Sequence, residues 1–287
     1  MNFTKSPIET MRGRQSVRTY DTQNLSESDI GKITAYINEE KNLIGPFGGK
    51  GRIDFVRVNK NVTDKGIKLG TYGFIKNPNA YLVGISANDK YSLVEYAYIF
   101  HQLILYATQL GIGTCWMGGT FNRNSFEKEI QLEEKQFIPC VSPLGYPKEK
   151  QRVFDKALRY VVKADNKKGW DRLFYDSTFK VPLAKEQAGP FKIPIEMVRL
   201  GPSASNKQPW RIILSEDRQA CHLYIEQTPN YSGNLNYNMQ LLDMGIAMCQ
   251  FEIACRELKL AGKWQVADPN LEVLNEHTDY IASWKMT

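Results

Sequence analysis

The sequence predicts an α+β chain built from two related halves, and three observations carry that expectation. One order of elements occurs twice: a Gly-Pro loop, a short strand, a long helix and a tryptophan. Gly45-Pro46 precedes a strand at 53–58 and a helix that ends at Leu110 before Trp116, and Gly201-Pro202 precedes a strand at 211–214 and a helix that runs toward Trp264. Laying the first helix on residues 244–264 pairs Gln102 with Gln250, Leu110 with Leu258 and Trp116 with Trp264; these identities are sparse, so the shared order carries more weight. Apolar helical periodicity and short β-branched or aromatic runs both occur in each half. Finally, 287 residues, 42% of them hydrophobic and 11% aromatic, suffice for a sizeable core without disulfide or metal staples.

The first half opens with a short periodic helix containing Ile8 and Met11, followed by Arg14-Gln15-Ser16-Val17-Arg18-Thr19-Tyr20. Two guanidiniums four residues apart with a hydroxyl between them can clamp a phosphate, because arginine offers forked donors and serine a compact one. The same residues also suit an ordinary solvated helix end. After the strands at 53–58 and 81–85, residues 91–110 read as a long helix with Leu93, Ala97, Phe100, Ile104, Ala107 and Leu110 at three- and four-residue spacing. It gives way to Gly111-Ile112-Gly113-Thr114-Cys115-Trp116-Met117-Gly118-Gly119. Glycines at 118 and 119 would let backbone amides approach a flat ring that a Cβ would strike; a helix cap leading into a buried strand is the plainer alternative. A strand over 137–143, then Gly145-Tyr146-Pro147 and Lys150-Gln151-Arg152, close this half. The polar segment 163–169 reads as a linker with solvated charges, placing the halves at 1–165 and 166–287.

In the second half, Gly201-Pro202-Ser203-Ala204-Ser205-Asn206-Lys207-Gln208-Pro209-Trp210 is the most informative stretch. Its prolines remove backbone donors and restrain their neighbours, so Ser203, Ser205, Asn206 and Gln208 sit on a stiff loop able to meet a polar planar ligand at little entropic cost. A solvated turn before a strand has the same composition.

Other chemistries fit poorly. The glycines at 111 and 113 lack the third glycine of a dinucleotide fingerprint and follow a helix where that fingerprint follows a strand. Gly45-Pro46-Phe47-Gly48-Gly49-Lys50-Gly51 has neither the spacing nor the Ser/Thr of a phosphate-binding P-loop. Cys115, Cys140, Cys221, Cys249 and Cys255 include no Cys-x-x-Cys pair, and with only His101, His222 and His277 beside them no metal site is expected. An odd, scattered set suits a reducing cytoplasm, and Cys115 reads as a small buried hydrophobe. The net charge of +6 would favour an anionic cofactor, while no basic run with interleaved aromatics points to nucleic acid. No apolar span reaches membrane length, so a cytoplasmic protein without membrane contact is expected.

Five of these segments resemble signatures of the nitroreductase family: four in the family's order, the Arg-x-Ser-x-Arg opening at 14–18, the glycine-tryptophan run at 110–119, the Gly-Tyr-Pro ending at 145–147 and the Lys-x-Arg pair at 150–152, and one out of that order, the Ser/Asn loop at 201–210. Conventional members carry that last loop in their first third, and its displacement makes the chain similar to the branch in which two nitroreductase-like repeats are fused. The resemblance implies antiparallel-dominated sheets flanked by helices, in two pseudo-symmetric and intertwined repeats that mimic the conventional homodimer within one chain. It further implies one flavin per chain: the first half supplies the clamp and glycine platform, the second half the covering loop, and degenerate Phe47-Gly48-Gly49 marks a lost second site. The second half has no Arg-x-Ser-x-Arg clamp, no double glycine after Trp264 and no Lys-x-Arg close.

The cofactor implied is FMN, reduced by NAD(P)H and reoxidised by a nitroaromatic, quinone or similar electron-poor small molecule, in ping-pong hydride transfer at N5. By the same resemblance Arg14, Ser16, Lys150 and Arg152 would hold the phosphate, and Gln15 replaces the usual second basic residue. Arg18 would stabilise negative charge at the N1 and O2 edge. Backbone amides at Gly118 and Gly119, beside Trp116 and Met117, would face N5 and O4. Thr71, Tyr72 and Gly73 are placed near the ring, and Pro202, Ser203, Ala204, Ser205, Asn206 and Gln208 cover it. The flavin is then the reactive centre and no side chain is assigned as a catalytic acid, the proton coming from water. A flavin-storage or sensor protein without turnover is the alternative on the same scaffold.

Overall fold

The computed structural model describes residues 4–58, 71, 73–148, 166–233 and 235–287. The polypeptide begins with α1 (Pro7–Gly13), capped by the Ser6 hydroxyl, which accepts from the amide of Glu9, and pre-set by a proline in its first turn. Helix α2 (Glu27–Asn38) follows, capped in the same way by Ser26. The first sheet contains β1 (Arg52–Arg57), β2 (Ala80–Ala87), β3 (Gly113–Thr114), β4 (Gln136–Phe137) and β5 (Val141–Gly145) in the order β1-β2-β5-β3, with β4 paired to the end of β2. The second contains β6 (Phe174–Asp176), β7 (Trp210–Leu214), β8 (Ala220–Glu226), β9 (Gly262–Gln265) and β10 (Thr278–Met286) in the order β6-β7-β8-β10-β9. Reading β7, β8, β10 and β9 for β1, β2, β5 and β3 gives the same strand order in both sheets. All pairings are antiparallel except β6 with β7.

Between the sheets lie α3 (Lys90–Gln109) and α6 (Gln240–Glu257), packed on each other. Both are apolar on nearly every face and are buried almost throughout, as such helices must be. Two short helices, α4 (Arg123–Glu127) and α5 (Lys192–Leu200), lie in the first and second halves. Helix α5 packs on α6, and so does α1 from the other half, so one hydrophobic core runs through both halves.

The sequence suggested one strand over 137–143, but the chain breaks it into β4 and β5 at Pro139. Proline cannot donate to a ladder, and the carbonyls of the break find other donors: Arg123 Nε to Ile138 O (3.0 Å), Tyr237 Oη to Pro139 O (2.8 Å) and Tyr96 Oη to Cys140 O (3.0 Å). The five cysteines are free and buried, Cys115 among them. Among the described residues there is no cluster suited to a metal ion and no helix long and apolar enough to cross a membrane.

Candidate functional site

A cavity of about 550 Å³ opens where the two halves meet, a size typical of pockets for small organic ligands. The clamp segment reaches it from α1. Arg14 follows the last turn, its amide bonded to Thr10 O at 3.0 Å, and the chain then runs alongside β3, with Ser16 bridged to Thr114 and the amide of Val17 donating to Thr114 O at 2.8 Å. Gly113 permits this approach, because a Cβ there would stand 2.9 Å from Val17 Cγ1. Arg14, Gln15, Ser16 and Arg18 are thereby set beside the segment 116–119, and all eight residues line the cavity. Arg12 joins them, making this end strongly cationic.

The N–H groups of Gly118 and Gly119 are oriented by what holds the carbonyls of Met117 and Gly118. Met117 exchanges both backbone hydrogen bonds with Val141 at 3.0 Å, which turns the next N–H, that of Gly118, away from β5. Gly118 O accepts from Arg123 Nη2 at 2.7 Å, so the N–H of Gly119, across the same trans peptide, points the opposite way. The glycine at 118 also spares contacts within the protein. A Cβ there would meet Cys140 Sγ and Met239 Cε at 3.0 Å and Tyr237 Oη at 3.2 Å. Trp116 lines the cavity, but its ring packs into the core against Phe100, with centroids 4.9 Å apart.

From the second half comes the loop 201–210. Ser205, Asn206 and Gln208 have φ of 46°, 54° and 50°, three left-handed residues that are not glycine within four positions. Such backbone costs energy at each residue and persists only when its surroundings enforce it. Here Gln208 N donates to Ser203 Oγ (2.9 Å), Tyr231 Oη donates to Ser205 Oγ (2.8 Å), Asn206 Nδ2 donates to Asn166 O (2.9 Å), and Lys167 Nζ donates to Gly201 O (2.5 Å) and Asn206 Oδ1 (3.2 Å). Pro202, Ser203, Ala204, Ser205 and Asn206 line the cavity. Gln208 does not; its buried amide braces the loop by accepting from Lys168 N and donating to Asn206 O.

Thr71 and Gly73 also stand off the cavity wall, and Phe74 and Ile75 line it in their place. Tyr72, Lys150 and Arg152 lie outside the described residues, as does the boundary at 165. Of the linker charges expected to be solvated, Lys163 and Asp165 lie outside the described residues, and the two lysines that are described are not fully solvated: Lys167 lines the cavity, and burial, reinforced by Arg211, pushes the ammonium of Lys168 down to about 8.

The sequence reading missed Asp243, which lies on α6 at 2% exposure and lines the cavity. Its Oδ1 accepts from the amide of Ala204 at 2.9 Å, tying the covering loop to the helix. The register that pairs Leu110 with Leu258 places Glu95 opposite Asp243, and Glu95 does the same for the other loop, accepting from Phe47 N (3.0 Å) and Gly49 N (2.8 Å). There the carboxylate fills the cradle itself, with Oε2 1.9 Å from where a Cβ at residue 49 would stand. A lone acid in an otherwise apolar helix segment, Leu241-Leu242-Asp243-Met244-Gly245-Ile246, was the available signal. His101, beneath Trp116, is fully buried and its imidazole is held well below its ordinary range by that burial and by Arg14.

A family model described as "Putative TM nitroreductase" matches residues 7–255. The crystal structure of a putative nitroreductase from Thermotoga maritima MSB8 is similar in fold, with a TM-score of 0.62 at 18% identity, over 100% of this chain and 96% of that one. A nitroreductase family protein from Clostridium novyi NT gives 0.39 at 19% identity, covering 52% of this chain and 87% of its own. A nitroreductase with bound FMN from Desulfitobacterium hafniense DCB-2 gives 0.41 at 17%, covering 52% and 92%. No curated protein matches. Matched by the family model over nearly its whole length, the chain belongs to the TM nitroreductase family.

Proposed function

We propose that the chain is an FMN-dependent NAD(P)H oxidoreductase of nitroreductase type, acting on nitroaromatic, quinone or similar electron-poor acceptors. The observation that carries this reading is one cavity in which the Arg14–Ser16–Arg18 clamp and the Gly118–Gly119 amides of the first half meet the Ser203–Asn206 loop of the second. The donor set suits FMN: a cationic end for a phosphate, outward-turned amides for ring heteroatoms, and a stiff polar loop to cover a planar face. When bound, FMN supplies two-electron hydride chemistry at N5, alternately with NAD(P)H and with the acceptor. The protein's part is to hold the phosphate through Arg14 and Ser16, meet the N1 and O2 edge with Arg18, orient the ring against the backbone at 118–119, and exclude water from one face with the loop. Lys150 and Arg152 would complete the phosphate site.

The matching strand orders support the division into halves at 1–165 and 166–287, with one chain acting as its own pseudo-dimer. Occupation of the 45–49 cradle by Glu95 supports a single flavin per chain. Cytoplasmic residence belongs to the same reading.

The test is an absorbance spectrum after dialysis against FMN, followed by anaerobic addition of NADH and then NADPH. Retained flavin whose visible band bleaches is the expected result. A retained but unreduced flavin would favour storage or sensing, and no retained flavin would remove the reading. Asn206 provides a second check. Replacing it with alanine removes its bonds to Asn166 and Lys167 and places alanine in a left-handed conformation that asparagine tolerates better. Asn206→Ala is expected to weaken FMN binding about tenfold, as loss of roughly 1–1.5 kcal/mol of loop anchoring requires. Unchanged affinity measured by fluorescence titration would remove the covering loop from the site.

A further inference from the structure

The geometry points to Asp243 as a ligand-binding residue that carries a proton on Oδ2 and donates it to a hydrogen-bond acceptor, a conjugated carbonyl oxygen or ring nitrogen, of the planar molecule that fills the cavity. This rests on the flavin reading above and adds to it a binding group on the second half.

The argument starts from what surrounds the carboxyl. Asp243 is buried, and it shares the cavity wall with the apolar side chains of Leu242 and Met239 from its own segment and with Cys140 from the facing half. Oδ1 takes the amide of Ala204, whereas Oδ2 has no hydrogen-bond partner among the described residues. A bare carboxylate oxygen in such surroundings loses its hydration without replacement, and the usual outcome is that the group takes up a proton. The cation in range, Lys167, is committed to Gly201 O and Asn206 Oδ1. Once protonated, Oδ2 becomes a buried donor without a partner among the described residues, on a residue that lines the cavity, and the complementary ligand atom is an acceptor seated against that residue. Burial raises the carboxyl to about 8, against which the Ala204 amide and Lys167 pull only partly.

The sign of the pH effect follows. Asp243 gains its proton on folding, so between its ordinary range near 3.8 and about 8 the folded chain holds a proton that the unfolded chain releases, and stability falls as pH rises through that window. Ligand binding through the O–H is intact below about 8 and is lost above it. The other titratable groups facing Asp243 are Lys167, Tyr231 and Tyr237 and the Cys140 thiol. Burial pushes both tyrosines and the thiol upward, away from this window. Lys168, bonded to Gln208 at the back of the same loop, does fall in the window at about 8. Any test must therefore separate the two.

The experiment is FMN titration by fluorescence quenching from pH 7 to 9.5, in the wild type and in Asp243→Asn, with infrared difference spectra of each protein at pH 6.5. Asparagine keeps an acceptor for Ala204 and an N–H donor toward the cavity but cannot titrate. The wild-type Kd should rise about tenfold per pH unit above 8, as loss of one required proton dictates, and Asp243→Asn should bind with a flat profile. A protonated-carboxyl band present in the wild type, absent in Asp243→Asn and shifted by FMN should accompany it. A pH dependence that survives in Asp243→Asn would assign the effect to Lys168 and overturn the proposal. Tight wild-type binding with no pH dependence, or no carboxylic-acid band at pH 6.5, would overturn it as well. Failure of the flavin reading itself looks different: neither protein retains FMN at any pH, and the proposal falls with its occupant.

Discussion

Arg14→Ala combined with Arg18→Ala is expected to abolish FMN retention while leaving the fold intact. Both guanidiniums line the cationic end of the cavity, and their charge-assisted hydrogen bonds, from Arg14 to the phosphate and from Arg18 to the N1 and O2 edge, would be worth about 1.5–3 kcal/mol each. Losing two corresponds to a fall in affinity of roughly a hundredfold to ten-thousandfold. The backbone around them is secured by other means: the Arg14 amide bonds to Thr10 O, Arg18 O accepts from Lys76 N, and Val17 is held by Thr114. The melting temperature of the flavin-free protein should therefore change little. Riboflavin, which lacks the phosphate, supplies the discriminating comparison, because Arg14→Ala alone should lower FMN affinity but not riboflavin affinity, whereas Arg18→Ala should lower both. Equal retention of FMN by variant and wild type would mean that the clamp is an ordinary solvated pair.

That prediction was legible in the sequence because the clamp is local. Arg14, Ser16 and Arg18 lie within five residues, and Gly118-Gly119 and the loop at 201–210 are similarly contiguous, so each stretch carries its signature in its own composition. The long helix at 91–110 was legible for the same reason, since its apolar spacing repeats for five turns. What stayed hidden depends on contacts between distant segments. Asp243 looks like a stray acid until α6 is laid beside the loop at 201–206, where Ala204 turns it into an anchor. Lys167 reads as a solvated linker charge until the linker is seen to pass the carbonyl of Gly201. The break between β4 and β5 was hidden because its donors, Arg123, Tyr237 and Tyr96, come from three other elements. Thr71 and Gly73 were placed by position alone, and the cavity takes Phe74 and Ile75 from the same segment.

Gly245→Ala should be the most damaging single methyl addition in the helix core, and the reason lies in the pseudo-symmetry. In the register that pairs Leu110 with Leu258, Gly245 of α6 is the counterpart of Ala97 of α3, and the two face each other where the helices cross. A Cβ on residue 245 would stand 2.1 Å from Val94 O, 2.8 Å from Tyr98 N and 2.8 Å from Ala97 Cβ. The crossing thus has room for one methyl, already taken by Ala97. In an exposed helix the same change would stabilise by up to about 1 kcal/mol through propensity. Here the new methyl meets backbone atoms that cannot rotate away, and overpacking of a tight core costs about 1–3 kcal/mol or more. The clash outweighs propensity, so the melting temperature should fall by roughly 2–4 °C per kcal/mol lost in a chain of this size. FMN affinity should fall with it, because α6 can relieve the clash only by shifting away from α3 and carrying Asp243, two residues earlier, off the loop amide it holds. Ala97→Gly added to Gly245→Ala should recover part of the lost stability, because it removes the methyl-to-methyl contact while leaving Val94 O in place. A Gly245→Ala protein as stable as the wild type would mean that the helices have slack at the crossing, and the one-methyl account of the seam would be wrong.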